Sequence, residues 1–147
     1  MNIRIKKLNP NAKLPTKSTE FAAAYDLYLP EDVIIYSGRQ IIPLGFAMEI
    51  PNGYEAIIDP RSGFSSKGME DITGVRRNAD VKRGKIDPDY RDGVGVIVKS
   101  EENSFVLAAG TRIAQMTIYK TNDVDWIETD ELTETNREGG FGSTGSK

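Results

Sequence analysis

The chain contains no cysteine and no histidine. The first absence excludes a disulfide framework, a thiolate nucleophile and a Cys/His zinc site. The second excludes a Ser-His-Asp triad within the chain. Any catalysis falls to carboxylates, hydroxyls, Arg and Lys, backbone amides, or a hard metal ion held by oxygen. No apolar run approaches the ~20 residues needed to cross a bilayer, so no membrane association is expected. The opening MNIRIKKLNP carries basic residues but no apolar segment or small-residue cleavage site of a secretory signal, which predicts a cytoplasmic protein. The net charge of −3 offers no basic field for nucleic acid. One local basic cluster, Arg76, Arg77, Lys82, Arg83 and Lys85, reads either as a solvated face or as the flank of a polyphosphate site.

What is present is a single-domain length of 147 residues with ordinary apolar and charged content. Apolar runs are short and broken by turn residues. They predict strands over residues 3–8, 25–29, 33–36, 40–50, 54–58, 94–99, 105–107, 112–119 and 124–128. Asn52-Gly53 between two of these runs signals a hairpin. No window holds a long 3.6-residue stripe, and the best helix is short, over residues 62–68. Short strands with regular turns favour an all-β sandwich or barrel. The end of the chain differs in kind. Residues 138–147 are rich in Gly and Ser, with Phe141 alone among glycines. Ordering such a tail costs much backbone entropy, so mobility is expected unless a ligand holds it. The division expected is a domain over residues 1–136 with a C-terminal arm over 137–147.

Several short constellations carry chemistry. Pro60-Arg61-Ser62-Gly63 follows a predicted strand and opens the short helix. Arg61 offers a planar fork for phosphate, Ser62 a hydroxyl, and Gly63 close backbone approach. Gly84-Lys85-Ile86-Asp87-Pro88-Asp89-Tyr90-Arg91 places two carboxylates two residues apart beside a tyrosine. Extended, it would turn Asp87 and Asp89 to one face, although Pro88 is expected to bend it. One of these acids is suited to activate water, and the Tyr90 ring to pack on a sugar. The alternative is a polar turn with a solvated acid pair. Gln115 interrupts the apolar run of Gly110-Thr111-Arg112-Ile113-Ala114-Gln115-Met116, and Asp26 interrupts another; each polar group is either paired or faces a site.

In their order and spacing these segments resemble the trimeric all-β dUTP pyrophosphatase (dUTPase) family, over residues 3–147. Ala24-Tyr25-Asp26-Leu27 is similar to its first motif and Pro60-Arg61-Ser62-Gly63 to its second. The segment from Gly84 to Arg91 is similar to the third, and Gly110-Thr111-Arg112-Ile113-Ala114-Gln115 to the fourth. Arg137 with Gly139-Gly140-Phe141-Gly142-Ser143-Thr144-Gly145 is similar to the fifth. The resemblance implies a jelly-roll-like β-barrel, a homotrimer with sites between subunits, and Mg²⁺-dependent hydrolysis of dUTP to dUMP and pyrophosphate. It implies that Asp87 is the general base and that Tyr90 packs on the deoxyribose. The hairpin of Gly84, Lys85, Ile86 and Asp87 would read uracil, with Gly95 also at the substrate. Arg61, Ser62 and Gly63 would hold the phosphates, with Ser62 near the bond that breaks and Gln115 at the phosphates or the water. Arg137, Gly142 and Ser143 would bind the terminal phosphates and Phe141 would stack over the base. No side chain is expected to ligate Mg²⁺ directly; Asp26 would act through water or through the subunit interface.

The chain departs from the family pattern at Ala24, at Asp92-Gly93 after Arg91, at Val81, and in a fifth motif one residue shorter between Arg137 and Phe141. A dCTP deaminase, or a bifunctional deaminase–dUTPase, shares the fold. That chemistry needs a Glu about ten residues beyond Asp87, where this chain has Val94-Gly95-Val96-Ile97-Val98-Lys99. The other alternative is a non-catalytic dUTP-sensing or protein-binding relative, which would not need Asp87, Tyr90, Gln115 and Phe141 together.

Overall fold

The computed structural model describes residues 1–142. Its strands are β1 (Arg4–Lys7), β2 (Tyr25–Tyr28), β3 (Val33–Ile35), β4 (Gly38–Pro43), β5 (Phe46–Glu49), β6 (Tyr54–Asp59), β7 (Met69–Glu70), β8 (Arg76–Arg77), β9 (Ala79–Lys82), β10 (Gly84–Ile86), β11 (Gly95–Ser100), β12 (Phe105–Leu107) and β13 (Arg112–Lys120). One short helix, α1 (Ser62–Lys67), follows β6. All strand pairings among the described residues are antiparallel. The ladders are β1-β5, β10-β6-β13-β2, β4-β11-β9, β12-β3 and β7-β8. They wrap one core as a jelly-roll-like all-β fold, without closing into one continuous ladder. Period-two patterning produces this layering. On β11, Val96 and Val98 are buried while Ile97 between them points outward. No helix of the described residues is long and apolar enough to cross a membrane.

The expected strands form, with three differences. The run over residues 40–50 is two strands in two sheets. At the break Gly45 has φ +79°, and a Cβ there would lie 2.8 Å from the Cβ of Asn9, so the chain turns where only glycine fits. Asn52-Gly53 does turn the chain, with the Tyr54 amide donating to the Pro51 carbonyl at 3.1 Å. It does not make a hairpin, because β5 pairs with β1 and β6 with β10 and β13. Turn chemistry fixes the bend; the ladder partners are chosen by the core. Residues 124–128 are not a strand. Beyond Thr121, whose amide donates to the Gly53 carbonyl at 2.9 Å, no described residue offers this segment a ladder. Trp126 and Ile127 are 91% and 86% exposed.

The β7–β8 hairpin has no counterpart in the sequence reading. Two-residue strands leave too little periodicity to detect, and Asp71 holds them instead. Its Oδ1 accepts from the Thr73 amide at 2.8 Å, the Thr73 hydroxyl at 2.6 Å and the Val75 amide at 3.0 Å, and its Oδ2 accepts from Arg77 Nε at 2.7 Å. The Thr73 hydroxyl foremost, then Arg77, hold this carboxyl well below the usual carboxylate range.

Candidate active site

Strand β6 organises the site, because functional segments flank its last residues on both sides. Towards β13, Gln115 stands opposite Asp59, and across β13 the same Gln115 stands opposite Asp26 of β2. After Asp59 the chain continues through Pro60 and Arg61 into α1. Half-buried Phe64 packs on the core and anchors that helix. The Ser65 amide donates to the Arg61 carbonyl at 3.0 Å and the Gly68 amide to the Phe64 carbonyl at 2.9 Å. The amides of Ser62, Gly63 and Phe64 come before the first helical bond and so receive no partner from the helix itself. Ser62 and Gly63 are exposed.

Asp26 ties these segments together. It is buried, at 6% exposure. Its Oδ1 accepts from Arg61 Nε at 3.1 Å. Arg112 Nη1 stands 3.7 Å from its Oδ2, close enough for charge attraction but not for a hydrogen bond. That buried Oδ2 has no hydrogen-bond donor among the described residues. Asp26 engages Arg61 through Nε alone, which leaves the outer nitrogens of the guanidinium as donors. The ensemble is a cationic fork, a hydroxyl, helix-start amides and a side-chain amide around one buried carboxylate. Such a set suits an anionic, phosphate-bearing ligand.

On the other side of β6 lies β10, with Gly84 opposite Ile58 and Ile86 opposite Ala56. It is the edge strand of its sheet, so one row of backbone N–H and C=O groups stays available for a ligand. Pro88 does bend the chain here, and the Tyr90 amide donates to the Asp87 carbonyl at 3.1 Å. The Tyr90 hydroxyl is clipped to the Gly93 carbonyl at 2.8 Å. Between this turn and the outer face of β4–β11 lies a pocket of about 250 Å³, whose lining includes Ile41, Gly84, Ile86, Tyr90, Gly95 and Ile97. Lys85 also lines it, but its ammonium reaches out to Glu55 at 3.0 Å. Asp87 is exposed at the turn and its carboxylate makes no hydrogen bond or ion pair with a described residue.

The expected residues thus fall into two groups. Asp26, Arg61, Ser62, Gly63 and Gln115 come together on one flank of β6. Gly84, Lys85, Ile86, Tyr90 and Gly95 come together on the other, with Asp87 beside them. Arg137 and Phe141 reach neither group within one chain and are fully exposed, as is Gly142. Ser143 lies outside the described residues. The basic cluster resolves into ion pairs: Arg76 with Glu70, Arg77 with Asp71, Arg83 with Asp59 and Lys85 with Glu55. Lys82 alone of the five has no ion pair among the described residues and is exposed, so most of the cluster is compensated and the solvated-face reading accounts for it.

Among the described residues no group of three or more acidic, His or Cys side chains could cage a metal ion. The donor set fits an ion carried by a polyphosphate and its waters, and Asp26, whose Oδ2 has no donor among the described residues, would act on such an ion only through a water. The sequence reading gave no role to Arg112, Ile41 or Ile97. Arg112 was visible inside its motif, but its reach to Asp26 depends on the β2–β13 register. Ile41 and Ile97 carry no signature, since outward-facing isoleucines on strands are common.

Residues 10–145 match the dUTPase family model. The chain is 38% identical, over the full length of both, to the deoxyuridine 5′-triphosphate nucleotidohydrolase of Hydrogenobaculum sp.. To the enzyme of the same name from Nautilia profundicola it is 43% identical over 99% of each. Its fold superposes on the Staphylococcus bacteriophage 80alpha dUTPase with a TM-score of 0.82, at 26% identity, covering 97% of this chain and 98% of that one. The same phage enzyme has been determined with dUpNHpp, and a phage phi11 dUTPase with a structural Mg(II) ion. The two flanks of β6 and the agreement along the whole length lead to one conclusion: the chain belongs to the dUTPase family.

Proposed function

We propose that this protein hydrolyses dUTP to dUMP and pyrophosphate, in sites formed between the subunits of a homotrimer. The observation that carries the reading is that Asp26, Arg61 and Gln115 gather on one flank of β6 and Gly84, Ile86 and Tyr90 on the other. The nucleoside half reads uracil on the free edge of β10 and packs deoxyribose against Tyr90. The phosphate half holds the triphosphate with Arg61, the Ser62 hydroxyl and the amides of Ser62 and Gly63. Gln115 orients the phosphates or the attacking water. Asp87 takes a proton from that water as its oxygen bonds to phosphorus. The P–O bridge between the first and second phosphates breaks, and pyrophosphate leaves with the charge of that oxygen. Bound Mg²⁺ supplies neutralisation of the triphosphate. The cationic fork of Arg61 and fixed amides favour the charge that develops in the transition state.

Support for a shared site comes from what one chain leaves unfinished. The Asp87 carboxylate contacts none of Arg61, Ser62 and Gln115. Residues 121–142 leave the barrel with Val124, Trp126, Ile127 and Leu132 exposed. An apolar groove of about 530 Å³, lined by Ile3, Ile5, Tyr25, Met116 and Ile118 among others, stands open beside β1. Apolar segments and grooves left open in one chain are the complement expected of a closed oligomer. In the trimer, residues 137–147 act as a lid over a neighbour's site, with Phe141 on the base and Arg137, Gly142 and Ser143 on the terminal phosphates. Strand β11 presents no carboxylate to the pocket, which favours hydrolysis over deamination of the base.

The test is pyrophosphate release from dUTP, dCTP, dTTP and UTP, with Mg²⁺ and with chelator. Turnover of dUTP alone, abolished by chelation, is expected. Equal turnover of all four, or ammonia release from dCTP, would overturn the reading.

A further inference from the structure

We propose that Ile41 is a specificity-determining residue, forming with Ile97 an aliphatic wall of the nucleoside pocket that rejects a ribose 2′-hydroxyl. The inference rests on the reading of that pocket given above. Ile41 and Ile97 stand directly opposite each other in the β4–β11 ladder and therefore share a face. That face points away from the core, leaving Ile41 72% and Ile97 38% exposed. Yet both line the same pocket as Gly84, Ile86 and Tyr90.

Gly95 explains how Ile41 comes to be there. It lies two residues before Ile97, on the same face, and is paired with Pro43. A Cβ at Gly95 would sit 2.7 Å from Ile41 Cγ2. The missing side chain opens a notch that Ile41 occupies, and this contact sets the side-chain position in the pocket wall. A side chain at Gly95 would push Ile41 out of that position, so Gly95 acts on the pocket through Ile41.

The chemistry assigns this wall to the sugar. The polar edge of a uracil needs hydrogen-bond partners, and the pocket offers them along the backbone of β10. The least polar part of a deoxynucleotide, the sugar carbons around the 2′ position, then meets the remaining lining of Tyr90, Ile41 and Ile97. Isoleucine offers no donor or acceptor. A 2′-hydroxyl placed against it would lose water and gain no partner, a penalty that discriminates by up to roughly 10²-fold. The aliphatic pair thus adds a second wall beside the Tyr90 ring, and it is this wall that disfavours the ribose hydroxyl.

Three variants test this by kcat/KM for dUTP and UTP with Mg²⁺, alongside light scattering of each protein. Ile41→Thr keeps the branched shape and adds a hydroxyl at the wall; the UTP-to-dUTP ratio of kcat/KM should rise about 10-fold or more. Ile41→Ala removes the wall; KM for dUTP should rise about 10-fold with kcat little changed. Gly95→Ala displaces Ile41 and should raise KM in the same direction. An unchanged UTP-to-dUTP ratio in Ile41→Thr would overturn the inference while leaving dUTP hydrolysis by the unaltered protein intact. So would dissociation of the Ile41→Ala oligomer, which would make Ile41 an interface residue instead. No dUTP turnover by the unaltered protein would overturn the functional reading itself.

Discussion

Asp26 and Asp71 are both carboxylates at 6% exposure, and each is paired with the arginine of a nearby segment. Their surroundings differ in completeness. Asp71 accepts four hydrogen bonds, three on one oxygen and one on the other, all made within a single hairpin of residues 69–77. Asp26 accepts one side-chain hydrogen bond, from an arginine 35 residues away. Its second oxygen is buried with no donor among the described residues, although Arg112 stands near. Burying an acceptor without a donor costs free energy that a purely structural carboxylate avoids. On the proposed function, the completed acid is a structural joint and the unfinished one is completed by a ligand or its waters. Burial alone does not separate the two cases; the hydrogen-bond inventory does.

The sharpest way to break this comparison is to neutralise each acid with its isostere. Asp26→Asn should lower kcat/KM for dUTP by roughly 10²-fold, the scale expected when a catalytic array is mispositioned by about an ångström. Its melting temperature should change less than that of the Asp71 variant. If Asp26→Asn melted far lower yet turned over dUTP normally, Asp26 would be a structural joint like Asp71.

Asp71→Asn should do the reverse, lowering the melting temperature while the folded enzyme keeps near-normal turnover. The pH dependence gives the same claim a sign. The Asp71 carboxyl titrates below its ordinary value in the folded chain, so the unfolded chain takes up the proton first as pH falls. Its stabilising contribution is full above the ordinary carboxylate value of about 4 and declines as pH falls below it. Melting curves of the unaltered protein and Asp71→Asn should therefore differ most near neutrality and converge in acid. A gap that stayed constant from pH 7 to pH 3 would remove the carboxylate charge from the explanation.

The same distinction explains what could be read in the sequence. The all-β class was legible because short apolar runs bounded by turn residues, such as Val94-Gly95-Val96-Ile97-Val98, recur along the chain with no long helical stripe. The candidate site was legible as separate pieces because Arg61-Ser62-Gly63 and Asp87 to Tyr90 stand out by residue type and spacing. Partnership was not legible. Nothing local says that Gln115 stands between Asp59 and Asp26, that Asn52-Gly53 joins strands of different sheets, or that Ile41 fills the notch of Gly95. Those facts follow from register, which the core sets by non-local packing. Residues 124–128 show the limit most plainly: their composition suits a strand, but a strand exists only where another edge meets it.

The claim that one catalytic centre draws on two chains is tested most directly by complementation. On the proposed function, Arg61→Gln would damage the phosphate half and Asp87→Asn the base beside the nucleoside half, and each variant alone should lose about 10²-fold or more of dUTP turnover. The two should be unfolded together, refolded as a mixture, and assayed once native mass spectrometry shows hybrid trimers. Hybrids contain sites in which one chain supplies an intact Arg61 and its neighbour an intact Asp87, so turnover should recover well above that of either variant alone. Hybrid trimers that form and remain as inactive as their parents would contradict the account, because both halves of each site would then belong to the same chain.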